Sequence, residues 1–139
     1  MERTILIKNA AAIVTCDPQD RVIFHGDILI QGKKIAKLGK DLTDAHDETI
    51  DATDKIIYPG LINTHHHFFQ TFIRNLRTID YPNMTVPEWL DKAYRIFQMV
   101  NDDVIFYSSL TAMADLIKHG CTCAFDHQYC YTDTTGKKP

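Results

Sequence analysis

Three consecutive histidines, His65, His66 and His67, have the clearest capacity for chemistry in this chain. They follow the short apolar run GLIN, which has the composition of a strand. Alternate side chains of a strand share a face, so His65 and His67 are expected to project together while His66 points the other way. Because neutral imidazoles are good ligands for zinc and iron, we predict that His65 and His67 bind one divalent ion, zinc or iron, and that His66 is structural.

The elements that must position these histidines change in character near residue 58. Residues 3–58 contain short runs of alternating apolar residues, which predict strands. Gly26 and Gly32 are expected at tight turns of a small antiparallel sheet. After residue 58 the apolar spacing lengthens to three or four residues, which indicates helices. The sequence therefore divides into a strand-rich first part and a mixed second part.

The second part is predicted to contain a short helix, two longer helices and a strand. Thr85 and Glu88 have the spacing of a capping box, and Asn101 can cap the next helix. The run CTCAFDHQYCY then indicates a buried strand, so that strand, helices and strand form a βαβ unit with parallel strands. The predicted buried stripes are Leu90, Ala93, Phe97 and Val100 in one helix and Phe106, Leu110, Met113 and Ile117 in the other.

The composition excludes several classes of partner. The 139 residues are 45% hydrophobic and 24% charged, as in an ordinary globular chain, and the net charge is −3. We therefore expect neither nucleic acid nor an anionic membrane as a partner, and no apolar run reaches the roughly 20 residues of a membrane span. The four cysteines lack the dense spacing of a secreted disulfide scaffold, which favours a cytoplasmic location.

Two motifs carry a resemblance to a known family. The run PGLINTHHHFFQT resembles the signature after the first barrel strand of the amidohydrolase superfamily, in which H-x-H follows a Pro-Gly pair and a short apolar run. Gln70, three residues past the second predicted ligand, is similar to the aminohydrolase branch, with its cytosine-, guanine- and 8-oxoguanine-type deaminases and triazine hydrolases. The run GCTCAFDHQY resembles the second barrel strand of that branch, G-C-T-T-x-x-D-H-x-Y.

The resemblance implies an α/β fold, the N-terminal part of a (β/α)8 TIM barrel preceded by a small β-sandwich. Residues 1–58 would supply the N-terminal strands of the sandwich, and residues 59–139 the first βα units of the barrel. Arg74 and Trp89 are two further candidates for the pocket. The alternative is that Arg74 is an ordinary surface residue and Trp89 an ordinary core residue. The implied site residues are the metal ligands His65 and His67 and the substrate-binding residues Gln70, His127 and Tyr129.

The implied function is metal-dependent hydrolysis of carbon-nitrogen bonds, with deamination of a small purine-like or pyrimidine-like heterocycle. A (β/α)8 barrel takes about 250 residues, so we expect this chain to be an N-terminal portion that is inactive alone. The acid and base groups are expected beyond residue 139, and the full-length form is expected to be a homo-oligomer.

Three alternatives remain. One is a triazine chlorohydrolase or alkylaminohydrolase, and another is a non-catalytic scaffold with the same fold. The third is a zinc module using Cys121, Cys123 and either His127 or Cys130, against which stands the interpretation that these thiols pack as small hydrophobes.

Overall fold

The computed structural model describes residues 2–76 and 83–131. The chain divides into two compact units, Met1–Pro59 and Gly60–Pro139. Strands dominate the first unit and helices join parallel strands in the second, so the predicted mixed α/β class is confirmed. Among the described residues, no helix has both the length and the apolar character that a membrane crossing requires.

The first unit is a five-stranded sheet with β1 at its centre. Its strands are β1 (Thr4–Val14), β2 (Val22–Gln31), β3 (Lys34–Gly39), β4 (Glu48–Asp51) and β5 (Ile56–Ile57). Strands β1, β2 and β3 pair in antiparallel order, whereas β4 and β5 run parallel to β1. The prediction of a purely antiparallel sheet is therefore wrong, because the chain after β3 crosses to the far side of β1 instead of forming another hairpin.

The two glycines predicted at turns have different roles. Gly32 has a φ of +58° in the two-residue turn between β2 and β3, as predicted. Gly26 lies inside β2, opposite Ala10, where the β1–β2 register shifts. A Cβ at Gly26 would lie 2.8 Å from Ile23 Cγ2 and 2.9 Å from Ile13 Cδ1. The prediction of a turn at Gly26 is wrong, because glycine is needed there for close packing.

A buried carboxylate, Asp27, holds the first unit together and was not anticipated from the sequence. Asp27 is only 2% exposed, and its oxygens accept hydrogen bonds from the backbone N–H groups of Asn9 and Leu42, each at 2.9 Å. Lys8 Nζ lies 3.8 Å from the same carboxylate. Asp27 therefore joins the bulge of β1 to the loop that follows β3.

The second unit carries the predicted histidine cluster. Its elements are β6 (Leu61–His66), a 3-10 helix (Phe68–Ile73), α1 (Val86–Phe97), α2 (Asp102–Lys118) and β7 (Cys121–Asp126). Strands β6 and β7 pair in parallel, as the predicted βαβ unit requires. The capping box of Thr85 and Glu88 is present at the start of α1. The buried core consists of Phe69, Ile73, Ala93, Phe97 and Cys130.

The apolar stripe predicted to be buried in α2 is exposed. Phe106 is 61% exposed and Ile117 is 71% exposed, whereas Ser108 and Ala112 are the buried residues of this helix. Strand β7 is also mostly exposed, including Phe125, so the prediction of a buried strand is wrong as well. The small side chains let α2 approach the 3-10 helix closely, and its contact with β7 is slight. The apolar periodicity of α2 identified the stripe but did not show which face of the helix packs against the rest of the chain.

The N-cap of α2 gives a direct test of local stability. Asn101 Oδ1 accepts a hydrogen bond from Val104 N at 3.0 Å. We expect Asn101→Ala to lower the free energy of unfolding by about 1 kcal/mol, because a helix-end N–H group loses its acceptor. Urea unfolding followed by circular dichroism measures this change. Asn101→Asp keeps the acceptor and serves as the control; equal losses in both variants would contradict the assignment.

Candidate functional site

The side chains of His65 and His67 face each other at the end of β6. Their Nε2 atoms lie 3.3 Å apart, and their rings meet edge to face with centroids 5.1 Å apart. Two nitrogens bound to one tetrahedral zinc ion at about 2.0 to 2.1 Å lie about 3.3 to 3.4 Å from each other. The spacing in this chain therefore fits a pair of ligands to a single ion.

A contact of the second ring nitrogen, Nδ1, selects the tautomer of the neutral His67 ring. His67 Nδ1 lies 2.7 Å from the carbonyl oxygen of His127, which can only accept a hydrogen bond. The ring therefore carries its proton on Nδ1, and the lone pair of Nε2 points at His65. Histidines that bind metals are commonly oriented by such a bond from the other nitrogen to a carbonyl.

Backbone contacts fix the segment that bears these rings. Phe68 N donates to Asp126 Oδ1 at 2.9 Å, and His127 N donates to the carbonyl of His66 at 2.7 Å. These bonds join the ends of β6 and β7 immediately around His67. The direction of the His67 ring thus depends on the parallel pairing of two strands and not on a loose loop.

The donor set in the described residues is incomplete for a closed metal site. No group of three or more His, Cys, Asp or Glu residues in ranges 2–76 and 83–131 is arranged to hold a metal ion. His65 and His67 can supply two positions of a tetrahedral centre. The remaining positions would require water or residues outside the described ranges. The chemistry and spacing of the pair fit zinc or iron, while the number of ligands is that of a half-site.

The cysteines do not form the alternative zinc module in the described part of the chain. Cys121 Sγ contacts the carbonyl of Cys123 at 3.1 Å, and Cys123 is exposed on β7. Cys130 is buried, with its thiol 3.9 Å from the carbonyl of Phe97. Burial raises the pKa of the Cys130 thiol. Cys130 therefore packs as a small hydrophobic residue, as the competing interpretation predicted, whereas that interpretation is wrong for the exposed Cys123.

Alkylation rates test this difference between the cysteines. At pH 8 we expect iodoacetamide to modify Cys130 at least about ten times more slowly than Cys123, because the buried thiol is both shielded and less ionised. Peptide mapping by mass spectrometry over a time course gives both rates in one sample. The same measurement in denaturant is the control and should equalise them. Equal rates in the folded protein would refute the burial of Cys130.

A cavity of about 500 Å³ lies beside the histidine pair. Its wall includes all three histidines together with Gln70, Arg74 and Trp89. His66 borders this cavity although strand alternation placed it on the opposite face, and its Nδ1 is buried without a hydrogen-bond partner among the described residues. Arg74 and Trp89 both line the cavity, while Arg74 is also exposed at the surface and Trp89 also packs against the buried core, the ordinary positions that the sequence had left open.

A hydrogen bond joins Gln70 and Tyr129 at this site. Gln70 lines the cavity, and its Nε2 donates to the hydroxyl of Tyr129. The Tyr129 ring packs edge to face against Phe69 and Phe97, with centroids 5.2 and 6.2 Å away. Burial, and next the neighbouring Tyr94, raise the pKa of Tyr129, so its hydroxyl stays neutral well into the alkaline range. Tyr129 contacts Gln70 and does not itself line the cavity.

The side chain of His127 also lies outside the cavity wall. Its Nε2 donates to the carbonyl of Thr64 at 3.2 Å, and its ring centroid lies 4.6 Å from that of His65. Of the five predicted site residues, the cavity brings together His65, His67 and Gln70. His127 contacts the ligand pair through its main-chain oxygen, which lies 2.7 Å from His67 Nδ1. A sequence motif describes side chains and therefore could not reveal this main-chain contact.

Comparison with known proteins shows which family the chain comes from. The sequence profile of the amidohydrolase family matches residues 56–136, more than half of the chain. The chain belongs to the amidohydrolase family. The predicted resemblance to the aminohydrolase branch is confirmed by its relatives. One of them is hydroxydechloroatrazine ethylaminohydrolase of Pseudomonas sp. strain ADP, which is 42% identical over an alignment 143 residues long that covers 96% of this chain and 30% of that protein.

Other amidohydrolase relatives extend the comparison. The 8-oxoguanine deaminase of Pseudomonas aeruginosa is 31% identical over 134 residues, which cover 94% of this chain and 28% of the deaminase. The crystal structure of atrazine chlorohydrolase TrzN from Arthrobacter aurescens TC1, complexed with zinc, superposes with a TM-score of 0.82 at 31% identity, covering 88% of this chain and 28% of that one. This amidohydrolase chain spans about 30% of the length of the curated relatives it matches.

Proposed function

We propose that this chain is the N-terminal part of a metal-dependent hydrolase that cleaves an exocyclic carbon-nitrogen bond of a small nitrogen heterocycle. The observation that carries the proposal is the pair of facing Nε2 atoms, 3.3 Å apart, beside a cavity of about 500 Å³. In this proposal residues 1–58 contribute to a β-sandwich, and residues 59–139 form the first βα units of a (β/α)8 barrel. Membership of the amidohydrolase family supports this arrangement.

His65 and His67 are the proposed metal ligands. A divalent zinc or iron ion supplies Lewis-acid activation of water at neutral pH. The zinc-bound crystal structure of the related atrazine chlorohydrolase TrzN favours zinc. In the neutral His67 ring the His127 carbonyl selects the tautomer with its proton on Nδ1, which leaves Nε2 as the nitrogen that would bind the ion. The acid and base groups of the reaction are assigned to residues outside the described ranges.

Gln70 and His127 are the proposed substrate contacts, and Tyr129, predicted as a third, is proposed to act through Gln70. Gln70 would hydrogen-bond the edge of the ring, and Tyr129 would hold the Gln70 amide in place through its hydroxyl. The exposed ring of His127 lies close to His65 and would contact substrate at the rim of the site. The cavity has a volume suited to one small heterocycle. The homo-oligomer and the cytoplasmic location stay predictions.

Deamination is not the sole reaction that this site can serve. The relative with 42% identity is an ethylaminohydrolase, whereas the 8-oxoguanine deaminase has 31% identity. Loss of an alkylamine from a triazine is therefore the second candidate. In both reactions water replaces a nitrogen substituent on the ring, so the same metal ligands and ring contacts would serve. Retention of the H-x-H pair disfavours a non-catalytic scaffold.

The test compares this chain with the polypeptide encoded by the whole reading frame. Both are purified and analysed for metal, then assayed with 8-oxoguanine, guanine, cytosine and an N-ethylamino hydroxytriazine for release of ammonia or ethylamine. We expect zinc or iron in both samples and amine release from the longer polypeptide alone. Ammonia supports a deaminase and ethylamine the second candidate. A metal-loaded longer polypeptide that releases neither would overturn the proposal.

A further inference from the structure

Asp126 belongs neither to the proposed ligand pair nor to the proposed substrate contacts, yet its side chain binds the segment that carries both. Its Oδ1 accepts a hydrogen bond from the backbone N–H of Phe68 at 2.9 Å. Phe68 directly follows the ligand His67 and is the first residue of the 3-10 helix, which then leads to Gln70. Asp126 makes no ion pair within the described part of the chain. Its contribution to the site therefore passes through this hydrogen bond.

The hydrogen bond to Phe68 takes the place of an ordinary helix cap. The first N–H groups of a helix lack partners within it, and the side chain of the N-cap residue usually accepts from one of them. His67 is the N-cap residue of the 3-10 helix, and its side chain makes no such bond. Gln70 N donates to the His67 carbonyl at 3.0 Å, whereas Phe68 N donates to the carboxylate of Asp126. Asp126 thus caps this helix from a neighbouring strand.

Asp126 also lies at the point where the two parallel strands stop pairing. It is paired with His66, and these are the last residues of β7 and β6. Beyond them, His127 N donates to the His66 carbonyl at 2.7 Å, and the His127 carbonyl accepts from His67 Nδ1, also at 2.7 Å. The bond from Phe68 to Asp126 therefore belongs to the group of contacts that hold His67 beyond the paired strands.

We infer that Asp126 is a positioning residue, which fixes the direction of the His67 ring and the start of the helix that carries Gln70. As far as it concerns a metal ion, this inference rests on the proposed function. Asp126 does not complete a group of three donors with His65 and His67 in the described ranges, so it acts through the main chain and not as a ligand. The role requires an oxygen acceptor and no negative charge, because an amide oxygen accepts the same hydrogen bond.

Three substitutions of Asp126 separate the acceptor from the charge. Asp126→Asn keeps the oxygen and removes the charge, Asp126→Glu keeps the charge but displaces the oxygens by one methylene group, and Asp126→Ala removes both. Asn101→Ala is the matched control, because it deletes the cap of α2 in the same unit, where Asn101 Oδ1 accepts from Val104 N at 3.0 Å. Each variant is prepared as the 139-residue chain, and circular dichroism establishes that it is folded.

The first readout is the tautomer of His67 in the metal-free protein. Long-range proton–nitrogen correlation spectra show which ring nitrogen carries the proton, and they are recorded at about pH 8.5, above the range in which histidine usually titrates. The spectrum of His67→Ala identifies the signals. We expect His67 to carry its proton on Nδ1 in the wild type, Asp126→Asn and Asn101→Ala. Asp126→Ala and Asp126→Glu should show both tautomers, because the His127 carbonyl is no longer held beside the ring.

The second readout is the dissociation constant for zinc, measured by competition with a chromophoric chelator. We expect Asp126→Ala to bind zinc about tenfold more weakly than the wild type, the loss that is usual when a group that orients a ligand is removed. Asp126→Glu should show part of this loss. Asp126→Asn and Asn101→Ala should stay within about threefold of the wild type, since both keep the acceptor beside Phe68.

Different results contradict the inference and the proposed function. Wild-type tautomer and affinity in Asp126→Ala, or an equal loss in Asp126→Asn or Asn101→Ala, would overturn the inference, because the effect would then be absent, due to charge or due to general destabilisation. If Asp126→Ala does not fold, Asp126→Glu decides: mixed tautomers support the inference and a wild-type tautomer refutes it. A wild-type chain that binds no divalent metal refutes the proposed function, while the tautomer of His67 still tests Asp126.

Discussion

Replacing His65 or His67 with alanine is expected to lower the affinity of this chain for zinc by at least about 100-fold. Loss of a residue that merely orients a ligand commonly costs 10- to 100-fold in affinity, and loss of the ligand itself should cost no less. Either change leaves one imidazole, because the described residues contain no third donor positioned to compensate. Competition with a chromophoric chelator at neutral pH measures the dissociation constants.

Two other histidines serve as controls for this experiment. His119 is exposed at the end of α2, where its Nδ1 bonds to the Asp115 carbonyl at 2.8 Å, so His119→Ala should bind zinc like the wild type. His66→Ala removes the middle ring of the cluster and should leave the affinity within about threefold, since the paired Nε2 atoms belong to its neighbours. Wild-type affinity in His65→Ala, or a larger loss in His66→Ala, would contradict the assignment of ligands.

Gly60→Ala is expected to destabilise the second unit by about 3 kcal/mol, at the upper end of ordinary overpacking. A Cβ at Gly60 would lie 2.1 Å from Thr122 Oγ1, 2.2 Å from its Cγ2 and 2.7 Å from its Cβ. Rotation of Thr122 cannot move its own Cβ, so backbone must shift. The shift would fall beside the bond from Leu61 N to the Gly120 carbonyl, 2.9 Å long, where β6 and β7 begin to pair.

Chemical denaturation of three variants tests this prediction. Gly39→Ala is the matched control, because its nearest new contact is Leu42 Cδ2 at an ordinary 3.6 Å, and its effect should stay within about 0.5 kcal/mol. Adding Thr122→Ala to Gly60→Ala removes two of the three close contacts and should restore part of the loss. If the Gly60→Ala protein were as stable as the Gly39→Ala protein, the close approach of Gly60 to Thr122 at the start of β6 and β7 would be contradicted.

The convergence of His65 and His67 could be predicted because alternate residues of a strand share a face, although the contacts that hold the His67 ring come from the end of β7. Alternation of side chains follows from the extended backbone, and both rings project to one side as expected. The capping box at Thr85 and the cap at Asn101 were predictable for the same reason, since their partners lie three residues away. Contacts between residues a few positions apart can therefore be predicted from the sequence of that segment.

Features that depend on distant partners could not be predicted. The parallel pairing of β4 and β5 with β1 joins Ile5 to Glu48, a choice that no local pattern specifies. The stripe of α2 has the right period but faces away from the contacts that the described chain offers. Asp27 has no local sequence signal for its role, because the backbone groups that it binds belong to other segments.

The oxygen that holds the proton on His67 belongs to the main chain of residue 127. Every amino acid carries that atom, so a codon change at this position removes the imidazole and spares the acceptor. Where a carboxylate side chain performs the same task, a single mutation can delete it. The tautomer of the neutral His67 ring therefore does not depend on which side chain residue 127 carries, and the His127 imidazole is left for the proposed contact with substrate at the rim of the site.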